Sequence, residues 1–136
     1  MTQNVALFKL ILKYFQGAFY IVAGVNHFIN PVFYVNIMPP YVPWHRLFVD
    51  LTGILEVAFG IAILAPRYTR IAAWGLIFLL TAIFPANVHM ATHQELYTDV
   101  SPTLLWIRLP LQGILIAWAY WYTRRDHAAH SNPTTI

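Results

Sequence analysis

The sequence predicts an all-α integral membrane protein, an up-down bundle of four transmembrane helices with an outward proline-rich interfacial loop. The chain has 136 residues, of which 59% are hydrophobic and 10% are charged. A soluble domain carries roughly a quarter charged residues, so this composition is too apolar for one. Crossing a bilayer takes roughly 20 apolar residues. Four stretches reach or approach that length, at residues 5–28, 47–65, 71–90 and 103–122.

The first span is predicted to be a retained helix of a single transmembrane domain. Lys9 and Lys13 precede its apolar run as in a secretory signal, but no cleavage site of small residues follows. Gly17, Gly24 and His27 share one helix face at 100° per residue, and small residues allow close helix approach. We expect this face to pack inward. The domain covers residues 1–125, and residues 126–136 are predicted to form a disordered cytoplasmic tail.

The second span repeats this pattern of small residues around an acid. Gly53, Glu56 and Gly60 share a face, which predicts that Glu56 points into the bundle near mid-depth. The segment between the first two spans, residues 29–46, is rich in proline and aromatic residues. It is too interrupted to span a membrane, so we expect an interfacial segment that forms a lid, with Tyr41 and Trp44 at headgroup level.

The third and fourth spans each contain a proline. Pro85 and Pro110 are expected to end or kink their helices and to free backbone carbonyls that need polar partners. Asn87 and Gln112, two residues beyond them, could supply those partners.

Basic residues near the span ends predict the orientation. Six of the eight fall on one side of the membrane in this arrangement, at Lys9, Lys13, Arg67, Arg70, Arg124 and Arg125. The positive-inside rule then places both termini in the cytoplasm of a multi-pass protein of the cell inner membrane. The net charge of +3 follows from these anchors, so no nucleic-acid partner is expected. The chain has no cysteine, which excludes disulfides, thiol redox catalysis and covalent haem attachment through cysteines.

Ionisable residues inside the apolar spans are the main functional signal. Each costs several kcal/mol at that depth unless it is paired, so such residues mark a buried site by default. The bundle brings them to one chamber in its outward half, with Glu56 and Gln112 deeper. The candidates are His27, Asp50, Glu56, Asn87, His89, Arg108 and Gln112.

Three interpretations of this chamber are open. In the structural one, Arg108 pairs with Asp50 or Glu56, Asn87 and Gln112 bond freed carbonyls, and His27 is a satisfied core residue. In the second, the chamber binds a lipophilic molecule with a polar head, such as a quinone or an isoprenoid. Arg108 and His89 would then donate to its oxygens, while Glu56 and His27 exchange protons.

The third interpretation is a metal or b-type haem site. His89 and His93 are four residues apart and could share a helix face. With His27, His45 or Glu56 they offer nitrogen and oxygen ligands suited to zinc, copper or iron. Since His93 is expected at or beyond the helix end, this pair alone is a weak signal.

The motifs together resemble the DoxX-like family of small membrane proteins, from about Tyr20 to Tyr122. They are Gly24-x-x-His27-Phe28, Pro39-Pro40 with Pro43, Gly53-x-x-Glu56-x-x-x-Gly60, Phe84-Pro85-Ala86-Asn87 and Trp106-x-Arg108-x-Pro110-x-Gln112. The resemblance implies a four-helix membrane protein linked to quinol oxidation or thiosulfate:quinone oxidoreduction in respiratory membranes. Distant relatives of that family act as assembly chaperones, so it implies fold better than function.

The resulting hypothesis is a protein that binds a quinone-like or isoprenoid ligand and serves a respiratory or redox complex. Glu56 and His27 would be the catalytic, proton-handling pair, and Arg108, Asn87, Gln112, His89 and Asp50 would bind and position the ligand. The alternative is an accessory subunit or assembly factor with a structural polar core. A membrane-protein partner or a homo-oligomer is expected beside the lipid bilayer, and an oxidoreductase role would need a bound cofactor or partner because the chain has no cysteine.

Overall fold

A computed structural model describes residues 2–124 of the chain, and the tail predicted at residues 126–136 lies outside them. The described residues form five α-helices and one short 3₁₀ helix, with no β-strand among them. The helices are α1 (Thr2–Ile29), α2 (Pro31–Asn36), α3 (His45–Leu64), α4 (Thr69–Thr92) and α5 (Pro102–Trp121), with the 3₁₀ helix at Gln94–Leu96.

Four of these helices, α1, α3, α4 and α5, are long and apolar enough to cross a membrane. This confirms the predicted fold class, and each helix boundary lies within three residues of the predicted span. With 28 residues, α1 is the longest helix. At 1.5 Å rise per residue it exceeds the roughly 30 Å hydrocarbon core, so its ends reach beyond that core or the helix tilts.

The prolines have two different effects on the helices. Pro31 and Pro102 begin α2 and α5, where the missing N–H costs nothing because the first turn has no intrahelical acceptor for it. Pro85 and Pro110 lie inside α4 and α5, and neither ends its helix. A proline is tolerated inside a membrane helix where neighbouring helices or polar side chains satisfy the group that it frees.

Glycines let α1 and α3 pack backbone to backbone. Gly17 lies against Gly60, and Gly24 lies against Gly53, seven residues further along each helix in opposite directions. A Cβ atom placed on Gly24 would lie 2.6 Å from the Gly53 carbonyl oxygen and 2.9 Å from the Val57 backbone nitrogen. Because backbone atoms cannot move aside as a side chain can, only glycine fits this crossing. The inward face predicted for α1 is confirmed.

Two apolar clusters hold the bundle together. The first contains residues from all four spans and includes Tyr20, Ile63, Leu76, Leu80 and Ala119. The second joins α4 and α5 to their connection and contains Met90, Ala91, Tyr97, Val100 and Leu105. We call the end of the bundle that carries α2 and the α4–α5 connection the loop end. The opposite end, with Lys9, Arg67, Arg70 and Arg124, is the basic end.

At the basic end, the end of α5 fastens to α1. The Tyr122 hydroxyl donates to the Lys9 carbonyl oxygen at 3.0 Å and accepts from Trp118 Nε1 at 3.3 Å. Burial raises the pKa of Tyr122, so its hydroxyl keeps the proton that it donates. Phe15 stacks on Trp118 with ring centres 5.9 Å apart. These contacts close the ring of four spans between its first and last members.

Candidate functional site

His27 and Glu56 face each other across the α1–α3 crossing. His27 Nε2 lies 3.4 Å from Glu56 Oε2, and the two side chains are only 10% and 13% exposed. His27 Nδ1 lies 3.0 Å from the Val49 carbonyl oxygen. Gly53 makes the approach possible, since a Cβ there would lie 2.8 Å from the His27 Cβ. The two residues predicted to handle protons are therefore in contact.

This arrangement allows a proton to be shared between the two side chains. A carbonyl oxygen only accepts, so His27 Nδ1 carries the hydrogen that bonds Val49. Nε2 of a neutral imidazole then has only a lone pair to offer Glu56. It meets the carboxyl favourably only if one of the two holds a further proton, as an imidazolium beside a carboxylate or as an imidazole beside a carboxylic acid. Glu56 Oε2 is buried and accepts no well-aligned hydrogen bond from a described residue.

The short helix α2 covers this pair. The Tyr34 ring stacks on the His27 imidazole with centres 3.9 Å apart and an interplanar angle of 27°. Asn26 Nδ2 donates to the Tyr34 hydroxyl at 2.7 Å, and Asn30 Nδ2 donates to Asn26 Oδ1 at 2.7 Å. The proline-rich segment thus places an aromatic ring over the site, as a lid would.

Arg108 on α5 is half-buried and has no carboxylate within 4.0 Å among residues 2–124. Its Nη1 contacts the Met90 sulfur at 3.9 Å. The pairing of Arg108 with Asp50 or Glu56, one part of the structural interpretation, is therefore wrong for the described residues. The guanidinium has one weak thioether acceptor and five N–H groups to satisfy.

Asp50 forms an ion pair with Arg46 and not with Arg108. Both of its carboxylate oxygens lie 3.1 Å from Arg46 Nε, one helical turn earlier on α3. The two side chains are 33% and 63% exposed. Asp50 was predicted to bind ligand, but its carboxylate is committed to this surface pair.

The side chains of Asn87 and Gln112 are hydrogen-bonded to each other. Asn87 Nδ2 donates to Gln112 Oε1 at 2.7 Å, and Gln112 Nε2 donates to the Leu80 carbonyl oxygen. Leu80 lies one residue before Thr81, whose carbonyl loses its helical donor because Pro85 has no N–H. These two residues therefore tie α4 to α5 next to the proline. The structural interpretation predicted that they bond a freed carbonyl, which is wrong for Gln112, because its partner is the Leu80 carbonyl and not the freed Thr81 carbonyl.

Gln112→Leu should lower the free energy of unfolding by about 1 kcal/mol, the scale of an interhelical hydrogen bond in a membrane. The change leaves the Asn87 amide and the Leu80 carbonyl without this partner. Thermal unfolding in detergent measures the effect. Thr81→Val is a matched control, because the Thr81 hydroxyl bonds only the Ile77 carbonyl of its own helix. Equal unfolding temperatures for both variants would contradict the interpretation.

His89 belongs to a second aromatic group at the loop end. Its Nδ1 lies 3.1 Å from the Tyr97 hydroxyl, and Tyr41 meets its ring edge-on at 5.2 Å. His93, which caps α4 as predicted, stacks on it at 4.2 Å. Burial, with the neighbouring Tyr41 hydroxyl adding to it, raises the pKa of Tyr97, so the Tyr97 hydroxyl stays protonated.

Sequence reasoning missed Gln16 as a buried polar residue. Gln16 is 0% exposed, and neither its amide oxygen nor its amide nitrogen has a hydrogen-bond partner among the described residues. Tyr20, one turn later, is 2% exposed, and its hydroxyl also has no hydrogen-bond partner among the described residues. The spacing of 16, 20 and 27 along one face was the available signal. Together with Glu56 these residues form a polar line inside the bundle.

No group of three His, Cys, Asp or Glu side chains within residues 2–124 is placed to hold a metal ion. Both ring nitrogens of His27 are directed at protein atoms, Val49 O and Glu56 Oε2. The metal and haem interpretation stays a prediction.

Comparison with protein families decides the family of the chain. The model of DUF8561, a domain of unknown function, matches residues 16–123. The chain belongs to this family. The DUF8561 match begins at Gln16 and contains every site residue described above, so the site lies within the family's domain. Comparisons with curated proteins and with solved structures found no match.

Proposed function

We propose that this DUF8561 protein binds, at the loop end of its bundle, a lipophilic molecule whose polar head carries carbonyl or hydroxyl oxygens. A quinone or an isoprenoid has this chemistry. The observation that carries the proposal is the half-buried Arg108 with no carboxylate partner among residues 2–124. A guanidinium in a transmembrane helix without an anion or acceptor is costly, and it is favourable where a ligand oxygen completes its bonding.

The surroundings of Arg108 fit such a head group. The Tyr34 ring stacks on His27 and so covers the His27–Glu56 pair at the same end of the bundle. Exposed apolar side chains near Arg108, such as Trp106 and Ile107, would lie along an isoprenoid chain in the bilayer. Arg108 would orient the head, and His27 with Glu56 would exchange a proton with one of its oxygens.

Glu56→Gln should fold normally and lose this proton exchange. The glutamine amide can donate to a neutral His27 Nε2, but it cannot give up or take up a proton as a carboxyl does. Wild-type protein should show a binding enthalpy for a short-chain quinone that depends on the ionisation enthalpy of the buffer. The glutamine variant should bind with an enthalpy that does not. Buffer-dependent enthalpies of the same size in both proteins would count against the assigned role of Glu56.

The resemblance to the DoxX-like proteins supports a place beside a respiratory or redox complex. The chain contains no cysteine, so an oxidoreductase role needs a partner or a bound cofactor to hold electrons. We assign the protein to the cell inner membrane with the basic end in the cytoplasm, since five basic residues from 9 to 124 lie at that end.

One observation favours a second candidate, an accessory subunit or assembly factor. Asn87 and Gln112 bond each other and the Leu80 carbonyl inside the bundle and require no ligand. Such a core holds a bundle that presents its apolar faces to a partner membrane protein or to a second copy.

The experiment that tests the proposal is mass analysis of the protein purified in mild detergent, together with its optical spectrum. A quinone or isoprenoid in stoichiometric amount is the expected result. A membrane protein that co-purifies in fixed stoichiometry, with no such lipid, would favour the accessory subunit. A Soret band or a stoichiometric metal would replace both with the histidine-ligated site.

A further inference from the structure

The buried polar atoms without a partner are concentrated at the α1–α3 crossing. Within residues 2–124, four buried side-chain atoms have no hydrogen-bond partner: both polar atoms of the Gln16 amide, the Tyr20 hydroxyl oxygen and Glu56 Oε2. Gln16 is 0% exposed and Tyr20 is 2% exposed. Most buried polar groups in proteins bond either protein or ordered water. Four exceptions on three residues therefore point to a partner that they share.

The three residues lie at adjacent levels of the crossing. Gln16 and Tyr20 are four residues apart on α1, and both are buried, so they are neighbours on one face of that helix. The two glycine contacts between α1 and α3 lie on either side of Tyr20 on α1 and on either side of Glu56 on α3. Tyr20 and Glu56 are therefore at the same level of the bundle, with Gln16 one turn closer to the basic end.

Bonds among these residues alone do not satisfy all the groups. A bond between the Gln16 amide and the Tyr20 hydroxyl would use one end of the amide and leave the other end unpaired. An unpaired amide in an apolar interior is costly. A buried water molecule typically bonds about three polar groups that are otherwise unsatisfied, and this crossing offers that many.

We propose that Gln16, Tyr20 and Glu56 form a binding site for internal water. Water can accept from Gln16 Nε2 and from the Tyr20 hydroxyl, and it can donate to the Gln16 and Glu56 oxygens, so it offers each atom the kind of partner that the atom needs. Water at this level also gives the Glu56 carboxyl a proton-exchange partner other than His27. That use of the water rests on the proposed function, whereas its binding requires no quinone.

Nuclear Overhauser transfer from water to the side-chain amide protons of glutamine tests the proposal in detergent, without a quinone. The chain has four glutamines, so nitrogen-15 labelling of this residue type gives few signals, and Gln16→Met assigns the signals of Gln16. Gln16 should show a cross-peak with water. Gln112 is the matched control, because it is 3% exposed and both ends of its amide bond protein atoms. It should show no such cross-peak.

Tyr20→Phe distinguishes bound water from the Tyr20 hydroxyl, whose proton exchanges with solvent and could produce the same cross-peak. The Gln16 cross-peak should persist in this variant, since Gln16 and Glu56 still hold the water. A cross-peak that is lost in Tyr20→Phe, that is absent from the wild type, or that is equally strong at Gln16 and Gln112 would overturn the proposal.

The thermal stability of Gln16→Met checks the proposal independently. Methionine is unbranched and similar in length to glutamine, but it has no amide. If the Gln16 amide bonds water, the variant should unfold about 3 °C lower, the shift for one lost hydrogen bond in a chain of this size. An unchanged or higher unfolding temperature would mean that the amide is buried without a partner, which would overturn the proposal. Failure of a quinone to bind would contradict the proposed function and leave these measurements unaffected.

Discussion

Gly24→Leu should destabilise the bundle by about 3 kcal/mol, the upper end of the usual range for overpacking a well-packed interior. The new side chain would meet the Gly53 carbonyl and the Val57 backbone, and a Cβ alone already lies 2.6 Å from that carbonyl oxygen. The helices α1 and α3 must separate to admit it, which also separates His27 from Glu56. Reversible unfolding in detergent measures the loss.

Gly113→Leu is the matched control for this substitution. A Cβ on Gly113 meets no atom within 4 Å, and the residue is exposed on the surface of α5. This variant should unfold within a few tenths of a kcal/mol of the wild type, as surface changes usually do. Similar losses for both glycines would mean that the α1–α3 crossing is not the close contact described.

Arg108→Leu should weaken binding of a short-chain quinone by about tenfold to a hundredfold. Hydrogen bonds to charged groups contribute about 1.5–3 kcal/mol, and 1.4 kcal/mol corresponds to a factor of ten in affinity. The variant should still fold, since leucine suits a transmembrane helix and no described carboxylate loses a partner. Quenching of tryptophan fluorescence by the quinone, titrated in nanodiscs, measures the affinity.

The control for this variant is Arg46→Leu at the same end of the bundle. Arg46 is 63% exposed and pairs with Asp50 on the surface of α3. Its loss should leave quinone affinity unchanged. If the two arginine variants weaken binding equally, the quinone responds to the general charge of the loop end and the assignment to Arg108 is wrong.

The bundle was predictable because membrane constraints act on the sequence directly. The length of the apolar runs predicted all four spans, and the spacing of Gly17, Gly24, Gly53 and Gly60 predicted that these faces of α1 and α3 pack inward. That the two faces pack against each other is shown by the structure. The effect of Pro85 and Pro110 was less predictable. Whether a proline ends a membrane helix depends on neighbours that satisfy the freed groups, and here the helices continue past both prolines.

The sequence predicted which residues belong to the site better than it predicted which of them contact each other. His27 and Glu56 do meet, but Asp50 pairs with Arg46, an opposite charge at i,i+4 that the sequence already showed. The role of Tyr34 depends on how α2 folds back over His27, which no local pattern specifies. Gln16 was overlooked because one glutamine in an apolar run is weak as a signal, although it shares the face of Tyr20 and His27.

Photolabelling with a quinone analogue that carries an isoprenoid chain tests the central claim most directly, since it reports both binding and place. The account predicts labelled peptides from α2 around Tyr34 and from α5 around Arg108, with labelling prevented by excess unlabelled quinone. Labelling that the unlabelled quinone does not prevent, or that falls only at the basic end, would contradict the account.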